Sequence, residues 1–208
     1  MPSEISVERF DAKSLLRTLH ERKGREWKIA QGIQKTMRLA YSRVFEERNT
    51  EYLLPKGAIK NGYFNGGNPA RVREQIERMT SHILYHGAVY WLGWRDKQIM
   101  GVAKTTPSRK AGINVRTNIF LRDIAVAEEG LGDGSRLMRQ AIIEHPGDRK
   151  VVLDAFVGND HANNWYERLG FLPLEPQPPN LSMEISGLVI PQVRMVAPIA
   201  SVTRNLAG

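Results

Sequence analysis

The sequence predicts a single α/β domain, and three observations support this fold class. First, 208 residues are enough for one well-packed domain and rather few for two. Second, β-rich runs at residues 88–94 and 98–105, separated by a short polar turn, are typical of a β-hairpin. Third, strand-like and helix-like patterns alternate from about residue 118 onward. We therefore expect one domain over residues 1–208.

The first half of the chain is predicted to be mainly helical after one strand. The strand covers residues 5–10, and the pattern between about 12 and 48 is helical. The apolar residues that recur there at helical spacing are Ile33, Met37, Tyr41 and Val44. Glycines and prolines at 54–68 indicate a loop. The next helix begins at Asn68-Pro69, a capping residue followed by proline at the first helical position, and ends at Gly87.

After the hairpin, the predicted elements alternate regularly. They are, in order, a loop at 107–116, a strand at 118–126, a helix at 134–144, a strand at 150–157, a helix at 161–168, a strand near 171–174 and a last strand at 181–190. Prolines between the last two strands interrupt regular structure. The tail at 191–208 is left unplaced by the pattern.

Composition narrows the function classes. The net charge of +8 and pI near 9.9 would help to attract anions, but no arginine-glycine repeat, zinc finger or aromatic RNA-binding signature indicates nucleic acid. The absence of cysteine excludes disulfides and thiolate metal sites. No segment approaches the roughly 20 apolar residues of a membrane helix, and the N-terminus lacks the apolar core of a signal peptide. We therefore expect a cytoplasmic protein without a membrane partner.

The segment at 124–138 combines a strand, a glycine loop and the start of an amphipathic helix. Glycines at positions 130, 132 and 134 allow the backbone to turn with positive φ and to approach a ligand closely. The first amides of the helix have no partner within it, and the positive end of the helix dipole adds to their attraction for phosphate. The segment therefore predicts an anion site.

Three other interpretations of this loop can be compared with the sequence. A Rossmann fingerprint requires an acidic residue about 20 positions onward, and Asp154 has that spacing, but the preceding hairpin and helices give a different strand order. A P-loop would end in Gly-Lys-Ser/Thr, whereas Gly134 is followed by Ser135-Arg136. A glycine-rich turn that binds no ligand is the third interpretation.

A second segment, at 157–171, places a tyrosine on a short helix just after a strand. Together the two segments resemble the GNAT superfamily of N-acetyltransferases. The family pattern of an apolar-x-Val strand end followed by Gln/Arg-x-x-Gly-x-Gly/Ala is matched by Ile124-Ala125-Val126 and by residues 129–134. The later pattern, Asn-x-x-Ala-x-x-aromatic-Tyr-x-x-x-Gly-Phe, is present whole as Asn159, Ala162, Trp165, Tyr166, Gly170 and Phe171. The motif-bearing core covers about 88–190.

The resemblance implies a GNAT-type domain with a mixed, mainly antiparallel sheet that is flanked by helices and splayed near the cofactor. It also implies acetyl-coenzyme A as cosubstrate, no metal, and direct transfer of the acetyl group to a primary amine. Tyr166 is then expected to donate a proton to the leaving thiolate. The residues expected at the cofactor are Ile124, Ala125, Val126, Leu131, Gly132, Asp133, Gly134, Ser135, Arg136 and Asn159.

The chain departs from the family pattern at Glu129, which stands where Gln or Arg is usual. Because an acid near a pyrophosphate is unfavourable, side-chain assistance is expected from elsewhere, with Arg136 and Arg139 as candidates. Asp123 and Glu128 flank the cofactor strand and are the candidate general bases, with a water chain as the alternative.

The acceptor is expected among the N-terminal helices, at residues 27–67, and the loop at 107–117. His82 and His86 lie one helical turn apart, but the zinc-protease pattern would require glutamate where Ile83 stands, so no metal site is predicted. Two rival functions remain open. One is a non-catalytic acyl-coenzyme A-binding regulatory module, and the other is an RNA-directed enzyme that acetylates aminoacyl-tRNA. The acceptor is expected to be a small molecule or a peptide, and the protein a monomer or homodimer.

Overall fold

The computed structural model describes residues 3–15, 24–48, 52–61, 68–107, 118–145, 149–185 and 187–207. Its strands are β1 (Ser6–Phe10), β2 (Val89–Arg95), β3 (Gln98–Pro107), β4 (Asn118–Val126), β5 (Lys150–Phe156), β6 (Leu172–Pro173), β7 (Ser182–Ile185) and β8 (Leu188–Pro198). Its helices are α1 (Arg25–Ser42), α2 (Ala58–Asn61), α3 (Pro69–His86), α4 (Asp133–Ile143), α5 (Asp160–Arg168) and α6 (Ile199–Asn205). A π-helical segment, Arg43–Arg48, continues α1.

The described strands form one mixed sheet. Their order is β1-β2-β3-β4-β5-β8-β6, and β7 pairs with β8 beside this path. Within this set, β4 and β5 are the parallel pair, and every other neighbouring pair is antiparallel. The predicted fold class, a single α/β domain with a mixed, mainly antiparallel sheet, is therefore confirmed.

Helices cover both faces of the sheet. On one face α4, α5 and α6 pack into an apolar cluster that includes Leu137 and Val202. On the other face α1 and α3 contribute Ile33 and Met79 to a second cluster. The approach of α4 is close at Gly101 in β3, where an added Cβ would lie 2.5 Å from a methyl carbon of Leu137. Glycine at this position lets the helix pack directly on the sheet.

The described residues between 12 and 48 are helical, as the pattern predicted, apart from an interruption at Gly24. Residues 12–15 are helical, and α1 begins at Arg25, after Gly24 with φ of 88°. A positive φ is incompatible with a continuous right-handed helix, which explains the start. The predicted loop at 54–68 contains the short helix α2. The hairpin, α3 and the elements from β4 to α5 were predicted to within one or two residues at each end.

The prediction of a single last strand at 181–190 was wrong. Gly187, with φ of +84°, lies in a turn that separates β7 from β8. Strand β8 then continues through Pro191 into the tail that the pattern left unplaced, and α6 follows it. Proline is tolerated because β8 changes partner there: Pro191 pairs with Ser182 of β7, and Gln192 is the first residue opposite β5.

Candidate active site

The sheet splits between its two parallel strands. Pairing of β4 with β5 ends at Leu121 and Leu153, although both strands continue beyond this point. Across the other edge of β4, the Ala127 amide donates to the Met100 carbonyl at 2.7 Å, which marks a hydrogen-bonded antiparallel pair. Because such pairs alternate, the peptide groups of Ile124 and Val126 face away from β3 and into the split.

A cleft of about 350 Å³ lies beside this split, and we call it the loop cleft. The glycine loop, the start of α4 and one side of α5 form its walls. The residues that line it are Ala40, Val44, Ile124, Ala125, Val126, Glu128, Glu129, Gly130, Gly132, Asp133, Gly134, Ser135, Asn159, His161, Ala162, Trp165 and Tyr166. Most of the residues predicted at the cofactor are thus brought together, and Leu131 and Arg136 adjoin them in the chain.

The loop presents backbone donors at the start of α4. Gly132, with φ of +75°, is the N-cap, and its carbonyl accepts the first helical bond from the Arg136 amide at 3.1 Å. The amides of Asp133, Gly134 and Ser135 precede that bond and have no partner four residues earlier in the helix. A cleft lined by free helix amides fits a phosphate group.

Charged side chains fix the shape of the loop. Asp133 is buried, and its carboxylate accepts a hydrogen bond from Arg95 at 2.7 Å. Arg95 also pairs with Glu128 at 2.8 Å. Arg136 donates to the Leu131 carbonyl at 2.9 Å and forms an ion pair with Glu4. The side chains of Asp133 and Arg136 are therefore engaged within the protein.

Glu129 is neutralised by two arginines that precede it in the chain. Arg48 lies 2.5 Å from its carboxylate and Arg43 lies 3.4 Å away. Partial burial would raise the pKa of Glu129, but the arginines outweigh it and hold that pKa below its usual range. Arg43 also donates to the carbonyls of Val126, at 2.5 Å, and Ala127, at 2.9 Å. The acid at this position is therefore part of a cation-rich cluster.

Tyr166 and Asn159 project from the α5 side of the loop cleft. The Tyr166 ring is 9% exposed and packs against Trp165 and Phe171, with ring centroids 5.2 and 5.8 Å away. Burial, and to a smaller extent the negative charge of Asp123, raise the pKa of the Tyr166 phenol above its usual value. Asn159 is the N-cap of α5, and its side chain makes no capping bond to the helix.

Strand β4 contains a bulge where it reaches the split. Thr105 of β3 pairs with Leu121, but the preceding Lys104 pairs with Asp123, so Arg122 is the extra residue. Leu121 and Ile124 both contact the apolar cluster under α4, whereas Arg122 and Asp123 line a cavity on the opposite face. The bulge therefore presents two consecutive, oppositely charged side chains to one cavity.

This second cavity, of about 530 Å³, lies beneath α1 and α3, and we call it the helix cavity. Asp123 forms an ion pair there with Lys104 at 2.5 Å. Asp154 forms a two-pronged pair with Arg194 at 2.7 and 3.0 Å. The full lining is Ile33, Met37, Tyr41, Gln75, Arg78, His82, Tyr90, Val102, Lys104, Phe120, Arg122, Asp123, Asp154, Leu181, Ser182, Met183, Gln192 and Arg194.

A narrow space of about 100 Å³, the central gap, shares lining residues with both cavities. It shares Tyr41, Arg122 and Asp123 with the helix cavity, and it shares Asn159 and Tyr166 with the loop cleft. Asp123 therefore lies at the junction. Glu128, the other predicted base, lines the loop cleft beside the glycine loop.

His82 lies in the helix cavity, where its Nδ1 is 3.2 Å from the Tyr90 hydroxyl. Burial, followed by the charge of Lys104, lowers the pKa of His82 to about 4, so the imidazole is neutral at pH 7. Within the described ranges, no group of histidine, aspartate and glutamate side chains is arranged to hold a metal ion.

The acceptor was expected among residues 27–67 and the loop at 107–117; the first range lines the helix cavity in part, and residues 108–117 lie outside the described residues. Sequence reasoning did not place the end of the N-terminal helix at the glycine loop. Tyr41 borders the central gap, and burial raises the pKa of its phenol above the usual value. Arg43 and Arg48 reach the loop from the same helical segment. Tyr41 was recognised as part of the apolar stripe. Nothing in a single sequence links the two arginines to Glu129, because even Arg48 is 81 positions away from it.

The two parallel strands separate beside a glycine loop and the start of a helix. This arrangement leaves an edge of β4 along which an extended ligand could pair. The family model described as "Acetyltransferase (GNAT) family" matches residues 44–171. The chain therefore belongs to the GNAT family of acetyltransferases. No curated protein matches the chain at a significant level.

Solved structures show the same fold at low identity. The PaiA N-acetyltransferase of Thermoplasma acidophilum, in complex with coenzyme A, superposes with a TM-score of 0.56 at 12% identity, covering 94% of this chain and 99% of that chain. YncA of Salmonella typhimurium, with its cofactor acetyl-coenzyme A, has a TM-score of 0.54 at 15% identity, with 95% of each chain covered. None of the helices in the described ranges has the length and apolar character required to cross a membrane.

Proposed function

We propose that this protein transfers the acetyl group of acetyl-coenzyme A to a primary amine by direct attack. One observation supports this most strongly: the loop cleft and the helix cavity meet at the central gap, where Asp123 and Tyr166 both lie. A cofactor in the first cavity and an acceptor in the second would then meet beside a carboxylate and a phenol. The proposed location is the cytoplasm, and the proposed state is a monomer or homodimer.

The residues of the loop cleft fit a nucleotide-tailed thioester. The outward-facing peptide groups of Ile124 and Val126 would pair with an amide-bearing arm, as an added strand pairs with a sheet edge. The amides from Leu131 to Ser135 would hold the pyrophosphate, and Asn159 would hydrogen-bond the arm. Ala125 would line the same edge. Acetyl-coenzyme A supplies an acetyl group activated as a thioester.

The backbone carbonyl and the backbone N–H of Val126 would have different roles. Its carbonyl already accepts from Arg43, whereas its N–H faces the split by the alternation of β4. That N–H would donate to the acetyl carbonyl oxygen and stabilise the negative charge that develops there. Arg43 would hold the peptide group that follows this N–H, between Val126 and Ala127.

Tyr166 would assist the departure of the thiolate. Its phenol is buried at the central gap, and its raised pKa keeps it protonated at neutral pH. A thiol has a pKa of about 8.5, so the leaving group is tolerable and a hydrogen bond from Tyr166 is useful without being indispensable. The phenol is therefore protonated, and able to donate, at neutral pH.

Asp123 is the general base that we propose, in preference to Glu128. Asp123 lines both the central gap and the helix cavity, whereas Glu128 pairs with Arg95 beside the glycine loop. The need for a base depends on the acceptor. Deprotonating a lysine-like amine of pKa about 10.4 at pH 7 costs roughly 4 to 5 kcal/mol, and an α-amine near 8 costs about 1 kcal/mol.

Two measurements test this function. Acetyl-coenzyme A should raise the melting temperature more than NADH or ATP does, because a ligand that binds only the folded state stabilises it by mass action. Coenzyme A release should then be assayed with polyamines, peptides, aminoglycosides, amino acids and charged tRNA. Binding without release for any acceptor would support a regulatory module instead. A larger shift with NADH would contradict the acetyl-coenzyme A assignment itself.

Asp123→Asn gives a separate test of the base. It keeps the size of the side chain and removes the negative charge, so turnover should fall most at low pH, where the amine is most protonated. Glu128→Gln is the matched control on the same strand end, and its pH profile should follow that of the parent. Parallel profiles for Asp123→Asn and the parent would assign deprotonation to water.

A further inference from the structure

The helix cavity carries an excess of positive charge. Four basic side chains line it, Arg78, Lys104, Arg122 and Arg194, against two carboxylates, Asp123 and Asp154. Each carboxylate is already committed to one cation, Asp123 to Lys104 and Asp154 to Arg194. Arg78 pairs in turn with Glu74 at 3.2 Å, so one positive charge, that of Arg122, is in excess in a space of about 530 Å³. This excess favours an anionic occupant.

Arg122 is the cation placed to meet that occupant. It is exposed, and its guanidinium lies over the Phe120 ring, 4.7 Å from the centroid. Among the described residues, no carboxylate lies within ion-pair distance of Arg122. Stacking on an aromatic face fixes the plane of a guanidinium and leaves its N–H donors free for a carboxylate or phosphate. Arg194 lies near the same ring, 5.1 Å from the centroid.

The bulge in β4 sets a positive and a negative group next to each other. Arg122 and Asp123 are consecutive, and both line the helix cavity and the central gap. An acceptor with an amine close to an anionic group matches this pair, with its amine toward Asp123 and its anion toward Arg122. The amine would then lie at the central gap, on the side of Tyr166.

The cavity also opposes a protonated occupant. Burial is the main reason that the pKa of His82 falls to about 4; the charges of Lys104, His86 and Arg78 lower it further, whereas Asp123 raises it. An ammonium group bound away from Asp123 would lose hydration and meet the same cations, so its neutral form would be favoured. Polyamines and aminoglycosides, with several ammonium groups and no anion, are the acceptors that this field disfavours.

We infer that the acceptor is a small amine that carries a carboxylate or phosphate close to its amino group, with Arg122 as the residue that binds the anion. This inference rests on the proposed acetyl transfer and narrows its acceptor. A cavity of about 530 Å³ suits a compact molecule.

Matched pairs of amines test the charge directly. We would measure kcat/KM by coenzyme A release for leucine against leucinamide, and for phosphoethanolamine against ethanolamine, with spermidine alongside. The anionic member should be preferred by at least about tenfold in one pair, as expected for one hydrogen bond between charged groups. That preference would appear although a nearby anion makes the amine harder to deprotonate. The pair that shows it identifies the anion as carboxylate or phosphate.

Arg122→Gln locates the effect. It should lower kcat/KM about tenfold more for the anionic amine than for the neutral partner, so that the preference between the two is lost. Arg73→Gln, an exposed position on α3 away from the cavity, is the matched control and should behave as the parent. Calorimetry with N-acetylleucine, or with N-acetylated phosphoethanolamine if that pair shows the preference, gives a readout independent of turnover and should show the same loss. An unchanged melting temperature would show that the variant is folded.

Each other outcome overturns the inference in a recognisable way. Preference for spermidine or for the neutral amines would remove the charge selection and leave acetyl transfer intact. Use of charged tRNA together with rejection of free amino acids would assign a macromolecular acceptor. If none of the amines gives coenzyme A release, the proposed acceptor class is wrong. If acetyl-coenzyme A also fails to raise the melting temperature, the proposed function falls with it.

Discussion

Asp123 and Tyr166 border the same narrow gap, and the negative charge of Asp123 adds to burial in raising the pKa of the Tyr166 phenol. The raised pKa keeps the Tyr166 phenol protonated at neutral pH, as a proton donor to the thiolate requires. The predictions below test this site, the loop cleft and the helix cavity in turn.

Tyr166→Phe should lower kcat by about 10² or more, the usual low end for general acid–base catalysis. The ring should stay in place, because it packs against Trp165 and Phe171 without using the hydroxyl. Affinity for acetyl-coenzyme A should change by less than about 1 kcal/mol, one ordinary hydrogen bond. Steady-state turnover and cofactor titration measure the two quantities. Full turnover in the variant would leave the thiolate to be protonated by water, and lost cofactor binding alone would make Tyr166 a binding residue.

Gly134→Val should weaken acetyl-coenzyme A binding by about tenfold or more, since overpacking costs about 1 to 3 kcal/mol. A Cβ at Gly134 would lie 3.7 Å from the Trp165 ring, an ordinary contact, so a single carbon fits and the branches of valine project into the loop cleft. Gly134→Ala is the control and should lose much less. Calorimetry on the folded variants decides the matter, and equal affinities for valine and glycine would show that this loop does not hold the cofactor.

Arg43→Gln should weaken acetyl-coenzyme A binding by about tenfold, because it leaves the Glu129 carboxylate less neutralised beside the loop cleft. Glu129→Gln alone should bind as well as the parent. The double variant should recover most of the loss, with a coupling energy within the roughly 0.5 to 3 kcal/mol seen for interacting residues. Arg38→Gln, on the same helix, is the control. Additive effects of the two substitutions would show that Arg43 acts through the Val126 carbonyl alone.

Stability should fall as the pH is lowered from about 6.5 toward 4, in part because of His82. The pKa of folded His82 is about 4 and that of an ordinary histidine is 6.5, so the unfolded chain binds the proton more tightly. The stabilisation by the neutral imidazole is complete above pH 6.5 and disappears as the pH approaches 4. His82→Gln should flatten the melting temperature over this range, and His86→Gln, one turn later and exposed, should not. Identical curves for His82→Gln and the parent would contradict this prediction.

The motif-bearing core was predictable because local chemistry determines it. The strand, glycine loop and helix around Gly132 follow from backbone freedom and helix amides, and the structure places them as expected. The course of β8 was not predictable, because Pro191 is a strand breaker except where a strand exchanges partners. Which strands β8 pairs with depends on the whole sheet, so this cannot be predicted from a short segment of sequence.

The charge arrangement of the site was the other part that sequence could not give. Glu129 was recognised as a departure from the family pattern, but its partners Arg43 and Arg48 come from α1 and its continuation. The assignment of Arg136 as a cofactor ligand remains a prediction. In the structure its guanidinium contacts the Leu131 carbonyl and the Glu4 carboxylate. Ion pairs between distant segments depend on tertiary packing, which periodicity does not encode.

The extra residue at Arg122 changes what a deletion in β4 would do. Before the bulge Leu121 faces the cluster under α4, and after it Ile124 does, so the two halves of the strand are out of phase by one residue. Removing Arg122 would shorten the strand by one position and restore strict alternation, with Asp123 still toward the helix cavity and Ile124 still under α4. The two faces of the strand would therefore be kept, and only the extra charged side chain would be lost. In a protein engineered from this scaffold, a one-residue deletion at position 122 is therefore compatible with the existing packing, whereas a one-residue deletion outside the bulge would exchange the two faces of the strand.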